Sequence, residues 1–138
     1  MELFIQIRDG QPHEHPIMGD NFREAFPLVD VNNLPSNFAR FERIQQPNLG
    51  PYQIYTGVTY AWVDGVVKDV HHVQEMTSQE RAAKQQATKD AWAQGPNFAS
   101  WTFDEERCAY ISPVPYPDDG KVYRWGESTT SWIEVTNV

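Results

Sequence analysis

A single cysteine, Cys108, stands in 138 residues. No internal disulfide can form, and a paired-cysteine metal or redox motif is excluded, so folding in a reducing cytoplasm is the simplest reading. Long apolar runs are missing too: none approaches the roughly 20 residues that cross a bilayer. Basic side chains are scarce, 11 Lys and Arg against 19 Asp and Glu, for a net charge of −8. That balance argues against a general binder of nucleic acid or of anionic membranes, since either needs a basic patch for phosphates. The opening MELFIQIRDG places Glu2, Arg8 and Asp9 where a signal peptide would be apolar, and the expected location is cytosolic. Catalytic signatures are also absent. The chain holds no GxSxG elbow, P-loop, GxGxxG, HExxH or HxxEH, so the expectation is no enzyme and no cofactor.

What is present is ample apolar matter, 40% hydrophobic with 13% aromatic, enough for a globular fold instead of disorder. The polar clusters read as surface. His13-Glu14-His15 puts two imidazoles on one side of an extended segment, a donor set that suits zinc. The competing reading, surface polar residues, is preferred, and no metal is expected. His71 and His72 are adjacent, so on a strand they point to opposite faces. Asp104-Glu105-Glu106 and Asp118-Asp119 are neighbours in turns, not carboxylates held apart with divergent pKa values as acid/base work requires. Cys108 follows two glutamates that oppose thiolate formation, with Arg107 partly offsetting them.

The clearest element is MTSQERAAKQQATKDAWAQG, residues 76–95. Thr77 with Glu80 three residues on forms a capping box. Good helix formers fill the interior until Gly95-Pro96 stops the run, giving about 18 residues, or about 27 Å. Its only large apolar side chain is Trp92 among alanines. Such a helix buries little and reads as a spacer or flat packing rod.

Before it, residues 2–8 alternate as a strand, and Asp9-Gly10 suits a tight hairpin turn. QPHEHPI, with two prolines, is an edge strand or extended loop. Asp20 or Asn21 caps a short helix through about Phe26, closed by Pro27. Residues 29–38 form a loop with room for a second helical turn, pinned by Phe38 and Phe41, and residues 41–44 begin another strand. From Tyr52, YQIYT, VTYAWV and VVKDVHHVQEM are strand-like runs punctuated by Gly57 and Asp64-Gly65, read as an antiparallel meander.

After the helix the composition turns aromatic. SWTF and CAYI flank DEER, and KVYRW and SWIEV flank GESTT, two hairpins joined by the extended, proline-rich SPVPYPDDG. Flat Trp and Tyr faces serve sugar rings and protein partners alike. In so small a sheet the preferred reading of these rings is core packing; Trp101, Tyr123, Trp125 and Trp132 are the candidate glycan-stacking residues of the competing reading, an exposed aromatic platform. The expected fold class is α+β: an N-terminal domain over 1–76 with an antiparallel meander and short helices, a linking helix over 77–95, and a β-hairpin module over 97–138.

In their order, IRDGQP, HPI, AFP, LPSNFARFER, LGPY, DGVVKDVHHVQEMTSQERAAKQQATKDAW, SWTFDEERCAY, PVPYPDDGKVYRW and TTSWIEV resemble small uncharacterised proteins of marine tailed phages, cyanophages especially. The likeness spans nearly the whole chain and is most specific in the C-terminal block. It implies a phage origin and a place among virion or tail-fibre-associated proteins, and it assigns no catalytic or ligand residues. The layout of β-rich head, helix and aromatic tail is also loosely similar to tail-fibre assembly chaperones. Together these readings predict a non-enzymatic accessory or assembly protein acting by protein–protein contact, located in the host cytoplasm during assembly or in the virion. The expected partner is another copy, giving a homo-oligomer, or a phage fibre subunit. The expected contact is Ala83, Ala87 and Trp92, whose small side chains allow close helix approach. The alternative is a carbohydrate-binding module for host surface glycan.

Overall fold

The computed structural model describes residues 1–136 and is mixed α+β. Its chain divides into two compact units, one of Met1–Leu49 with Gln53–Gln74, the other of Gly50–Tyr52 with the chain from Glu75 onward.

The first unit is built on one five-stranded sheet. Strands β1 (Leu3–Arg8), β2 (Gln11–Met18), β3 (Phe38–Glu42), β4 (Gln53–Val63) and β5 (Val66–Glu75) stand in the order β2-β1-β3-β5-β4. Both Asp-Gly pairs make two-residue turns as their sequence demands. Asp9 and Gly10 have φ of 54° and 77°, Asp64 and Gly65 of 51° and 81°, the left-handed pair that matches strand twist in a hairpin. β2 is an edge strand. Its prolines cost no ladder bond there, and Glu14, His15 and Pro16 bulge opposite Ile5.

Three expectations need correction. The short helix α1 (Gly19–Ala25) starts before Asp20 and Asn21 and has no side-chain cap; the Gly19 amide instead donates to the Glu2 carbonyl at 2.9 Å. No second helix occupies the following loop among the described residues, where an Asp30 side chain accepts from the Asn32 amide and fixes a turn. And Gly57 does not divide two strands. At φ 144° it sits inside β4, which runs unbroken to the Asp64 turn. The expected meander is thus a hairpin, β4–β5, and β5 returns alongside β3 in parallel, Phe41 opposite Val67.

Alternation along β1 loads both faces of the sheet. Ile5 and Ile7 join Ala39, Phe41 and Val67 in one core, with Leu3 and Tyr60 packed on it. Phe4 points the other way, onto Phe22 of α1 (centroids 4.5 Å) and Phe38. The sheet curls until its edge strands meet: His15 Nδ1 and the Tyr60 hydroxyl are 3.0 Å apart, and Trp62 Nε1 donates to the Gly10 carbonyl at 2.9 Å. Beyond the short β3–β5 ladder, side chains take over. Asp69, 5% exposed, accepts the Ile44 amide at 2.9 Å and Arg43 at 2.9 Å, while His71 Nε2 donates to the Ile44 carbonyl at 2.6 Å.

The second unit holds α2 (Ser78–Gln94) and two hairpins, β6 (Thr102–Asp104) with β7 (Ala109–Ile111), and β8 (Tyr123–Gly126) with β9 (Ser131–Glu134). The capping box forms as read: the Glu80 amide donates to Thr77 Oγ1 at 3.1 Å and the Thr77 amide to Glu80 Oε1 at 3.0 Å. Among the described residues no helix is long and apolar enough to cross a membrane.

Candidate functional site

A helix needs a face to hold it in place, and α2 has almost no aliphatic one; none of its residues is fully buried. Its inner stripe is instead polar and cationic, at the spacing of one helical face. Arg81 lies over the Tyr52 ring at 4.2 Å, Lys84 Nζ donates to the Pro51 carbonyl, and Gln85 Nε2 donates to the Tyr52 hydroxyl at 2.9 Å. One turn on, Thr88 reaches Cys108 Sγ at 3.4 Å, and Lys89 sits 4.8 Å from the Phe103 ring centre. Trp92 completes the stripe, stacked on Tyr110 and tilted against Trp101. Long cationic stems covering rings substitute here for leucines.

The rest of the helix faces solvent. Ala83, Ala87 and Ala91 are exposed. Beside them runs a groove of about 450 Å³ floored by Ala87, Ala91, Trp92, Gly95 and Pro96, with Lys84 at its edge. Of the three partner-contact candidates, the groove brings Ala87 and Trp92 together. Ala83 lies a turn earlier on the exposed side, outside the groove.

The glycan-stacking candidates meet in part. Trp101, Trp125 and Trp132 pack edge to face with centroids 5.1–5.9 Å apart, and Trp125 is 8% exposed. Tyr123 does not join them directly; its ring meets Tyr116, which in turn meets Trp132. Tyr116, 50% exposed, is the open ring of this region and the residue sequence reasoning passed over. No local signal marks it, since a tyrosine set between Pro115 and Pro117 reads as part of a solvated connection.

Carboxylates fix this unit's loops. Glu127 accepts the Ser100 amide at 3.0 Å and the Ser100 hydroxyl, and these bonds hold its carboxyl below the usual range. The Tyr123 hydroxyl donates to Asp119 at 2.5 Å, lowering the Asp119 pKa and pushing the phenol up to about 12. In the first unit, donation from Arg23 and Arg40 holds Glu2 below its ordinary value.

His13 lies 3.5 Å from the Glu14 carboxylate while His15 meets Tyr60. Among the described residues no group of three or more His, Cys, Asp or Glu is placed to hold a metal ion. His71 has both nitrogens engaged, by the Tyr55 hydroxyl and the Ile44 carbonyl, and His72 meets Thr59 at 2.7 Å. Comparison with protein-family models, with curated proteins and with solved structures gives no match.

Proposed function

We propose that the chain is a non-enzymatic virion or tail-fibre-associated protein of a tailed phage, acting in assembly through protein–protein contact along the outer face of α2. The observation that carries this reading is the two-sidedness of that helix. One stripe is committed to rings and carbonyls of its own unit, while Ala83, Ala87 and Ala91 stay open beside an apolar groove. Small side chains let a second helix approach closely, so dispersion contacts accumulate over the length of the pair. The partner is another copy of the chain or a fibre subunit.

The non-catalytic part rests on the phage-protein resemblance and on how the polar groups are used. Asp69, His71, Asp119 and Glu127 each spend their bonding capacity on backbone or neighbouring side chains, which is the work of structural groups.

The test is the mass of the chain in solution by size-exclusion chromatography with light scattering, for the wild type and for Ala83→Glu with Ala87→Glu. Assembly in the wild type that the variant loses supports the reading. A glycan-binding alternative draws on Tyr116, whose half-exposed ring lies edge-on to Trp132. A glycan array on wild type and Tyr116→Ala distinguishes it.

A further inference from the structure

In the first unit β1 begins at Leu3, and the register sets Leu3 opposite Met18 on β2 and opposite Phe41 on β3. Residues paired across strands share a face of the sheet, so these three side chains stand together at one end of it. The core of Ile5, Ile7, Ala39, Phe41 and Val67 stops there, at Phe41 and Leu3. Beyond it lies a pocket of about 580 Å³ with apolar walls from Leu3, Pro16, Met18 and Phe41, and with Glu42 and Arg43 in its lining. A volume of that order is ordinary for a small-molecule site.

The charges around the pocket are not equally free. Glu42 is held by Lys68, Oε2 to Nζ, at 3.0 Å. Asp69 accepts the Ile44 amide and Arg43 Nη1, each at 2.9 Å. Arg43 is different. Its guanidinium lies over the Phe41 ring, 5.1 Å from the centre, and its side chain is 54% exposed. A guanidinium carries five N–H donors in a planar fork, so one bond to Asp69 leaves donors for a second carboxylate, which such a fork takes well. Asp69 on one nitrogen and Phe41 against the plane hold the group in position before any ligand arrives, which lowers the cost of binding.

We infer that this pocket binds a small carboxylate carried on an apolar body, an alkyl or aryl acid. The apolar part lies against Leu3, Pro16, Met18 and Phe41, and the carboxylate bonds to Arg43. Removing the apolar body from water supplies affinity, and Arg43 supplies the preference for an anion. A cationic ligand finds Glu42 and Asp69 already engaged, and a neutral one forgoes the charge-assisted bond. The site belongs to the first unit and does not rest on the outer face of α2.

The test is titration calorimetry of the full chain with octanoate and with naphthoate, each beside its alcohol, octanol or naphthalenemethanol. At least one acid is expected to bind, one molecule per chain, within about 3 mM, the range open to a ligand of roughly ten to thirteen heavy atoms. It is expected to bind about tenfold more tightly than its alcohol. Octanoate alone points to a chain-like occupant and naphthoate alone to a ring, and either supports the inference. Methyl spectra of methionine-labelled protein place the ligand: the Met18 signal is expected to move, and that of Met76, which is not part of the lining, to stay. Arg43→Gln keeps an amide donor for Asp69. It is expected to bind the acid about tenfold more weakly and the alcohol unchanged, so the preference disappears. Met18→Trp, at a position 48% exposed, fills the pocket and is expected to lose acid and alcohol together, with circular dichroism checking that both variants fold. Saturation by neither acid, an alcohol as tight as its acid, a preference that survives Arg43→Gln, or undiminished binding by folded Met18→Trp would each overturn the inference. The Ala83→Glu with Ala87→Glu variant keeps the pocket, and its acid binding is expected to match wild type, so failure of this site is told apart from failure of the α2 contact.

Discussion

Trp92 lies flat on Tyr110, their ring centroids 4.4 Å apart and their planes 6° from parallel. The helix contributes one large apolar side chain, and it is placed where β7 can meet it face on. Lys89 over Phe103 and Arg81 over Tyr52 extend the same contact along the helix. What fixes α2 is a row of ring contacts with little enclosed volume.

Removing that stack has a defined cost. Trp92→Ala is expected to destabilise the protein by roughly 2–3 kcal/mol, below the range for a fully enclosed tryptophan because the residue is half-buried. Urea denaturation followed by near-ultraviolet circular dichroism measures it. Ala83→Glu, at an exposed position, is expected to stay within about 0.5 kcal/mol of wild type. Equal midpoints for the two variants would contradict this account of the helix.

The Asp69 clamp gives the second prediction. Asp69→Ala leaves the Ile44 amide without its acceptor and frees Arg43, at an expected cost of about 2–3 kcal/mol, moderated because Arg43 is itself half-exposed. Asp69→Asn, which keeps an oxygen toward the amide, should lose less. A midpoint for the alanine variant indistinguishable from wild type would show that the β3–β5 extension does not need the side chain.

Acid sensitivity follows from Glu2, Asp119 and Glu127, all three with folded pKa values lowered by donated hydrogen bonds. A lowered carboxylate pKa adds stability above the unfolded value, and that stability is lost as pH falls through the folded one. The denaturation midpoint is expected to drop with pH below the ordinary carboxylate range, and Glu2→Gln to flatten part of the slope. The exposure of these groups keeps each contribution small.

Tyr123 predicts the alkaline side. Its phenol, bonded to Asp119, is raised to about 12, so the contribution is complete below the unfolded tyrosine pKa near 10 and is lost as pH rises through the folded value. Absorbance titration should show one late tyrosinate step that Tyr123→Phe removes. Persistence of that step in the variant would assign it elsewhere.

Local signals carried much of this fold. The Thr77–Glu80 box, both Asp-Gly turns and the proline-marked edge strand each depend on a few neighbouring residues, and each forms where its residues stand. What the sequence could not disclose is long-range. β3 pairs with β5 across the whole of β4, and nothing within Phe38–Glu42 names that partner. Gly57 reads as a stop because glycine usually weakens strands, yet its positive φ is absorbed within β4. For the candidate contact, the alanines of α2 were legible. The inner face was not, because cations over rings carry no apolar periodicity. Tyr116 was hidden by its setting: a proline-rich connection reads as solvated linker, and only the bonds from Trp132 and Tyr123 show that it is fastened.

The most direct measurement is the light-scattering mass of the wild type beside the Ala83→Glu with Ala87→Glu variant. The account predicts a wild type heavier than the 15.9 kDa chain and a variant that is folded by circular dichroism and runs at the single-chain mass. Identical masses for the two, whether both monomeric or both assembled, would contradict a contact between copies through the outer face of α2.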